Sequence, residues 1–331
     1  MVEQTALNRL AEMGSGFPNL LRARAYTEAS LESKRRELAS LGEDPDFAVI
    51  MFGSWGRGEL SSGSDDDWAL LVDGPPGEGV EERISGLEGS LGHAERKPGA
   101  QGVFGGPVFC DDLIGNIGLD EDRNQNLTRR ILLVLESVAI TNPELHGTVR
   151  DRVLEVYLDQ SIKDFRPPRF FLNDVVRYWR TMCVDFVGKE RREPEGEKWA
   201  IRNAKLRTSR KMLFASGLLP VLLAARFNRA QIRGYLREQF SLLPSDRIAE
   251  AFLEFGAIDA GLRTFRAYDR WLGMLADADL RAELEALPRE DAQGSRVFRD
   301  VTRLAEELEA GLLTLLFDTD LYLQVRDFGI F

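Results

Sequence analysis

Gly53-Ser54-Trp55-Gly56-Arg57-Gly58-Glu59-Leu60-Ser61-Ser62-Gly63-Ser64-Asp65-Asp66-Asp67-Trp68-Ala69-Leu70-Leu71-Val72 is the stretch on which the reading of this chain turns. It is entered from Phe47-Ala48-Val49-Ile50-Met51-Phe52, an apolar and β-branched run that stops abruptly at Gly53, as a buried strand does. It leaves through a second strand, expected over residues 66–72 and closed by Gly74-Pro75-Pro76. Side chains alternate along an extended segment, so Asp65 and Asp67 emerge on one face, and Asp66 falls on the other with Trp68 and Leu70. Two neighbouring carboxylates offer the hard oxygen donors that Mg²⁺ or Mn²⁺ takes while keeping nucleotide phosphates as further ligands. Gly53, with no side chain, lets the backbone approach a phosphate, and Ser54 adds a hydroxyl donor. Gly, Ser and Asp are also ordinary turn residues, and Asp-x-Asp alone is weak. The full order of strand, Gly-Ser, spacer, Ser-Asp-x-Asp and strand favours a site over an acidic hairpin turn.

Outward from this stretch the chain reads as a small sheet followed by helices. Before it, Leu31, Leu38 and Leu41 recur at helical spacing among Ser30, Glu32, Lys34 and Arg35, predicting helix through about Leu41. After it, a short helix is expected over residues 81–91 and a strand between Val103 and Cys110. From about Asn126 the pattern is helical. Leu127, Ile131, Leu132, Leu135 and Val138 mark one amphipathic helix, and Phe170, Val175, Tyr178, Trp179 and Met182 another. Pro143, Pro167-Pro168, Pro194, Pro220, Pro244 and Pro288 fall between the periodic segments, and residues 188–197 read as an exposed loop. The fold class is thus α+β, with a small mixed-sheet domain over residues 1–125 and an all-α helical domain over residues 126–331.

Composition narrows the chemistry. Of 331 residues, 44% are hydrophobic and 29% charged, which suits a globular chain of two domains. Two cysteines, Cys110 and Cys183, and two histidines, His93 and His146, are too few and scattered for a zinc site or a disulfide framework, so a metal would be held by oxygen. The histidines sit in loop-like contexts with no catalytic partner in view. No long uncharged apolar run and no basic-then-apolar start is present, so no membrane partner is expected and the location is read as cytoplasmic. A net charge of -11 argues against an extended nucleic-acid surface.

One segment runs against that acidity. Lys198, Arg202, Lys205, Arg207, Arg210 and Lys211 occur without an acidic residue among them. On a continuous helix Lys198, Arg202, Lys205 and Ser209 share a face, with Trp199, Leu206 and Leu213 as the apolar anchor. Such a face either neutralises the β and γ phosphates or is simply solvated. Arg129-Arg130, and Arg177 and Arg180 with Tyr178 and Trp179, read as acceptor-side groups or as core aromatics beside surface ions.

The stretch at residues 53–72 resembles the signature of the nucleotidyltransferase superfamily of the DNA polymerase β type, and Gly56-Arg57-Gly58-Glu59-Leu60 is particularly similar to the PII uridylyltransferase subgroup. The resemblance covers some twenty residues closely, and Asn126-Leu127-Thr128 is a fainter echo. No regulatory domains of that subgroup are recognisable. The resemblance implies a mixed sheet of five strands or fewer. It implies Asp65 and Asp67 as catalytic metal ligands, and Gly53, Ser54, Arg57, Lys205 and Ser209 at the triphosphate. Relatives often carry a third carboxylate on a later strand. Asp111 and Asp112 stand after the expected strand, yet Asp111 equally suits the N-cap of a helix beginning near Leu113. The bulky Trp68 directly after Asp67 is a further departure.

The function this implies is metal-dependent transfer of an NMP from an NTP to an acceptor hydroxyl, with release of pyrophosphate. The acceptor, a protein, a small molecule or a short RNA contact, stays open, because the helical domain would choose it. The alternatives are a catalytically silent nucleotide-binding regulatory protein, and a toxin or defence enzyme acting on tRNA or a host factor.

Overall fold

Two apolar runs of five residues, each able to bury every side chain, pair antiparallel and begin the sheet. They are β1 (Phe47–Met51) and β2 (Trp68–Val72), with Phe47 opposite Val72 and Met51 opposite Trp68. β3 (Pro107–Phe109) joins the outer edge of β2 in parallel, and β4 (Val138–Ala139) joins β1 antiparallel, so the strand order is β3-β2-β1-β4. The computed structural model describes residues 4–39, 44–91, 102–159, 163–192 and 198–329. Among them the chain is a mixed α/β protein in which helix predominates and the sheet is small and mixed.

Cross-strand partners share a face. Val49, Met51, Trp68, Leu70 and Val72 therefore meet one set of neighbours: Leu38 from the end of α2 (Pro18–Glu37), and Val80, Leu87 and Leu91 from α4 (Glu78–Leu91). Trp68 is 1% exposed, so its bulk is core rather than an obstacle in a cleft, and burying it contributes on the order of 3 kcal/mol. Ala48, Ile50, Ala69 and Leu71 are buried on the opposite face, and α7 (Pro143–Asp159) packs on β1.

The chain divides into two units, residues 24–162 and residues 1–23 with 163–331. The sheet unit runs past the boundary expected at residue 125, for a reason visible in α6 (Asn124–Glu136) and in the strand after it. α6 stops at Glu136, so Val138 is not helical. It pairs with Met51 in β4, and the Val49 amide donates to Thr141 Oγ1 at 2.9 Å. A two-residue strand carries no periodic signal of its own. Within the same unit Arg130 is wholly buried, held by Asp122 at 2.7 Å and the Tyr157 hydroxyl at 2.6 Å, and Arg129 donates to the carbonyls of Gly102 and Val103. These arginines brace the unit internally.

The first residues belong to the helical unit because two of its carboxylates cap their helices. The Leu7 amide in α1 (Ala6–Glu12) donates to Asp246 at 3.2 Å, and the Leu20 amide in the first turn of α2 donates to Asp269 at 2.9 Å. The core of this unit gathers α1, α9 (Trp199–Arg207), α10 (Ser209–Leu223), α12 (Pro244–Glu254), α13 (Ile258–Ala276) and α15 (Arg296–Phe317). Tyr235 of α11 (Arg229–Ser241) packs at its margin, and Leu284 of α14 (Ala278–Ala286) is buried within it. α8 (Arg169–Arg192) runs into the segment expected as loop, leaving only residues 193–197 of it outside the described set. Pro220 lies inside α10, not between elements, whereas Pro143 and Pro244 do open helices. Trp179 stacks on Phe214 at 5.1 Å and Tyr178 is buried, so the aromatics near Arg177 and Arg180 are packing residues.

One contact fixes the sheet unit. A Cβ placed on Gly56 would stand 1.5 Å from the Glu136 carbonyl oxygen, so only glycine lets the one-turn helix α3 (Ser54–Arg57) lie against the end of α6. Gly56→Ala is expected to lower stability by about 2 kcal/mol or more, since main chain rather than a flexible side chain must yield. Chemical denaturation that leaves the alanine variant within about 0.5 kcal/mol of the parent would contradict this packing.

Candidate functional site

The register brings one end of the sheet together. β1 finishes where β2 and β4 begin, and Gly105 donates to the Trp68 carbonyl at 2.7 Å, so the start of β3 lies there too. At this end stand Gly53 and Ser54 after β1, Asp65 to Asp67 before β2, and Glu136 before β4.

Gly53 has φ 64° and ψ -133°, a region open in practice to glycine alone. A Cβ there would also stand 3.2 Å from Asp67 Oδ2. The Asp67 carboxylate is thus seated against the glycine bend, and the Phe52 amide, bonded to the Asp67 carbonyl at 2.8 Å, extends the β1–β2 ladder to bring it there. Asp66 points inward and accepts from the Trp55 indole N–H at 3.0 Å, 1% exposed. The two residues flanking it differ in exposure, Asp65 exposed and Asp67 half-buried.

The loop between is pinned. The Glu59 amide donates to the Ser54 carbonyl at 2.8 Å across Gly58, whose φ of 68° ends α3. The Leu60 amide donates to Thr27 at 2.9 Å, and the Ser61 amide donates to Ser64 Oγ at 3.0 Å, closing the Ser62-Gly63 tip. A ten-residue spacer therefore returns the chain to the bend without a long free excursion.

Several expected roles change. The Gly53 N–H faces the Glu136 carboxylate and helps to favour its charged form, and Gly53 contributes the bend. The N–H groups of Ser54, Trp55 and Gly56, in the first turn of α3, have no intrahelical carbonyl to meet, and Ser54 is half-buried. Arg57 is drawn inward. Its Nε donates to Glu59 at 2.7 Å and its Nη1 to Glu136 at 2.5 Å, and its side chain is 15% exposed. This guanidinium braces the bend instead of reaching for a triphosphate.

Asp111 and Asp112 lie in the first turn of α5 (Cys110–Gly115), whose N-cap is Phe109. Asp111 is therefore not the cap. Nor is it at the Asp67 end, because β3 runs parallel to β2 and places it beside Asp73, where Arg152 pairs with Asp73 at 3.3 Å and Asp111 at 3.2 Å. Among the described residues no group of three or more Asp, Glu, His or Cys side chains is arranged around a common metal position.

The basic helix expected around Lys205 is two helices. Thr208, with φ -119° and ψ -93°, breaks it between α9 and α10, and Lys198 sits before α9 in a left-handed conformation. Lys198, Arg202, Lys205 and Ser209 thus do not form one continuous face. Ser209 is 5% exposed and accepts from the Trp271 indole at 3.0 Å. Lys205 lies half-buried in the last turn of α9, and Arg207 and Lys211 pair with Glu306 and Glu309 of α15.

Glu136 and Glu59, missed in the sequence, are the buried acids of this end. Burial pushes the Glu136 carboxyl up, and Arg57 opposes that push. The one legible signal was a glutamate closing the apolar run Leu132-Leu133-Val134-Leu135. Beside it Ser137 Oγ donates to the Leu133 carbonyl at 2.6 Å and accepts from His146 Nε2 at 2.7 Å. His146 is consequently a buried helix residue of α7 rather than a loop residue, while His93 lies outside the described residues.

Comparison with protein-family models gave no match to this chain, and comparison with curated proteins gave none either.

His146 gives the site's flank a pH dependence. Burial lowers its pKa from 6.5 to about 4, with Arg150 adding to the effect. The unfolded chain then binds this proton more readily than the folded one, so the stabilising contribution is complete above pH 6.5 and is lost as pH falls from 6.5 towards 4. The loss by pH 4 should be about 3 kcal/mol. Relative to the parent, His146→Gln should flatten the fall in melting temperature over that window. Parallel curves for the two proteins would show that His146 does not titrate as its burial requires.

Proposed function

We propose that the chain is a metal-dependent nucleotidyltransferase that moves an NMP from an NTP to an acceptor hydroxyl, releasing pyrophosphate. The observation that carries this reading is the seating of the Asp67 carboxylate against a glycine-only bend, 3.2 Å from where a Gly53 Cβ would stand. That arrangement sets a carboxylate directly against the main chain of the bend, one residue before the Ser54 hydroxyl and amide.

In this reading Asp65 and Asp67 hold Mg²⁺ or Mn²⁺, for which a pair of carboxylates completed by phosphate oxygens is a suitable hard donor set. The bound ion supplies positive charge at the reacting phosphate. Ser54 offers its hydroxyl and amide to the triphosphate, and the bend keeps those donors beside Asp67. The acceptor oxygen forms a bond to the α-phosphorus, the bond from that phosphorus to the β-bridging oxygen breaks, and pyrophosphate leaves. The acceptor proton passes to solvent or to a carboxylate. Ordered donors of this kind act mainly by positioning and by matching charge that develops in the transition state.

A silent nucleotide-binding protein is the second reading. It is favoured by Asp111 lying at the opposite end of the sheet and by Arg57 being occupied within the protein. Nucleotide binding without pyrophosphate release across a panel of acceptors distinguishes it.

The test uses the full chain with each of the four labelled NTPs, Mg²⁺ or Mn²⁺, and a cell extract as acceptor source. The parent should release pyrophosphate and label an acceptor. Asp65→Asn combined with Asp67→Asn should reduce release by roughly a hundredfold or more while the circular dichroism spectrum is kept. Equal release by the double variant would remove the two aspartates from the chemistry.

A further inference from the structure

We infer that Glu136 is the positioning residue of the nucleotide site, holding the Gly53-Ser54 bend in place from more than eighty residues downstream, an assignment that rests on the function proposed above. Glu136 is 5% exposed, and its carboxylate accepts from Arg57 Nη1 at 2.5 Å, with the Gly53 N–H facing it. Its main-chain carbonyl occupies the space a Gly56 side chain would need. One residue thus meets the bend twice, in its middle through the main chain and at its end through the carboxylate.

Glu136 is itself held firmly. It is the last residue of α6, whose end is closed by Ser137 Oγ on the Leu133 carbonyl, and Val138 two positions on pairs with Met51 at the end of β1. The brace is therefore referred to the same strand that delivers the chain to Gly53. Arg57 is gripped on its other side by Glu59, 3% exposed, which belongs to the same loop. Two buried carboxylates share one guanidinium, so removing Glu136 takes away one of the two that grip Arg57. A guanidinium that loses a buried carboxylate seeks another acceptor, and Arg57, at the end of the one-turn helix α3, does so by turning the bend. The same rotation moves Ser54 and opens the wall on which the Asp67 carboxylate rests.

A group that only stabilises the fold would lower the melting temperature and leave the ligand affinity of the folded protein unchanged. A positioning group moves affinity and local exchange together. The experiment compares the full-length parent with Glu136→Ala and Glu136→Gln, below their melting temperatures. Glutamine retains a carbonyl oxygen for Arg57 Nη1, so it serves as the conservative rescue.

Hydrogen exchange followed by mass spectrometry reads the peptide covering residues 53–57, and calorimetry reads binding of ATP, GTP, CTP and UTP with Mn²⁺. In Glu136→Ala, exchange of that peptide should quicken and nucleotide affinity fall, each by roughly tenfold, with α4 unchanged, and Glu136→Gln should recover most of both. Unchanged exchange at residues 53–57 in the alanine variant would overturn the inference. So would faster exchange with unaltered affinity. A parent that binds none of the four nucleotides would overturn the proposed function, and the exchange result would then decide on its own whether Glu136 holds the bend.

Discussion

A single half-buried guanidinium holds the candidate site together. Arg57 lies between Glu59, its neighbour in the loop, and Glu136, which arrives at the end of a distant helix. Taking three charges out of water costs more than an exposed ion pair returns, and the cluster persists because every partner has strong, directed hydrogen bonds. What those bonds secure is shape. They fix Gly53 in a conformation that other residues avoid and set the Asp67 carboxylate against it. The proposed chemistry needs a carboxylate and phosphate donors held side by side, and this is the constraint that keeps them so.

The same cluster explains how a two-residue strand can matter. β4 is too short to add much to the sheet by its own hydrogen bonds, yet it ties the end of α6 to β1. Gly56 permits that approach and the pairing of Ser137 with His146 closes it off. Loop, helix and strand therefore depend on one another, and the glycines at 53 and 56 serve opposite needs, one a backbone conformation and the other a close approach.

Much of this end of the sheet was legible in the sequence because it obeys local rules. The runs at 47–52 and 66–72 announce strands through continuous apolar character, alternation places Asp66 opposite its neighbours, and Gly53 marks a bend. The structure agrees on each, with Asp66 turned onto Trp55. The misreadings share a cause, since each depended on partners far away in the chain. Arg57 looked like a phosphate ligand because its two carboxylates could not be seen around it, one of them seventy-nine residues on. Asp111 stood at a plausible distance along the chain, but the parallel direction of β3 sends it to the other end of the sheet. Lys205 and Ser209 looked like one helical face, and the break at Thr208, unmarked by proline or glycine, divides them. The domain boundary moved for the same reason, because acids at 246 and 269 capture the opening helices.

The measurement that bears most directly on the central claim is a crystal structure with Mn²⁺ and a non-hydrolysable NTP analogue, with manganese located by its anomalous scattering. The account requires manganese bound by the carboxylates of Asp65 and Asp67, with the triphosphate lying on Ser54 and Arg57 still joined to Glu136. An analogue bound elsewhere on the protein, or bound at this bend with no metal on either aspartate, would contradict it.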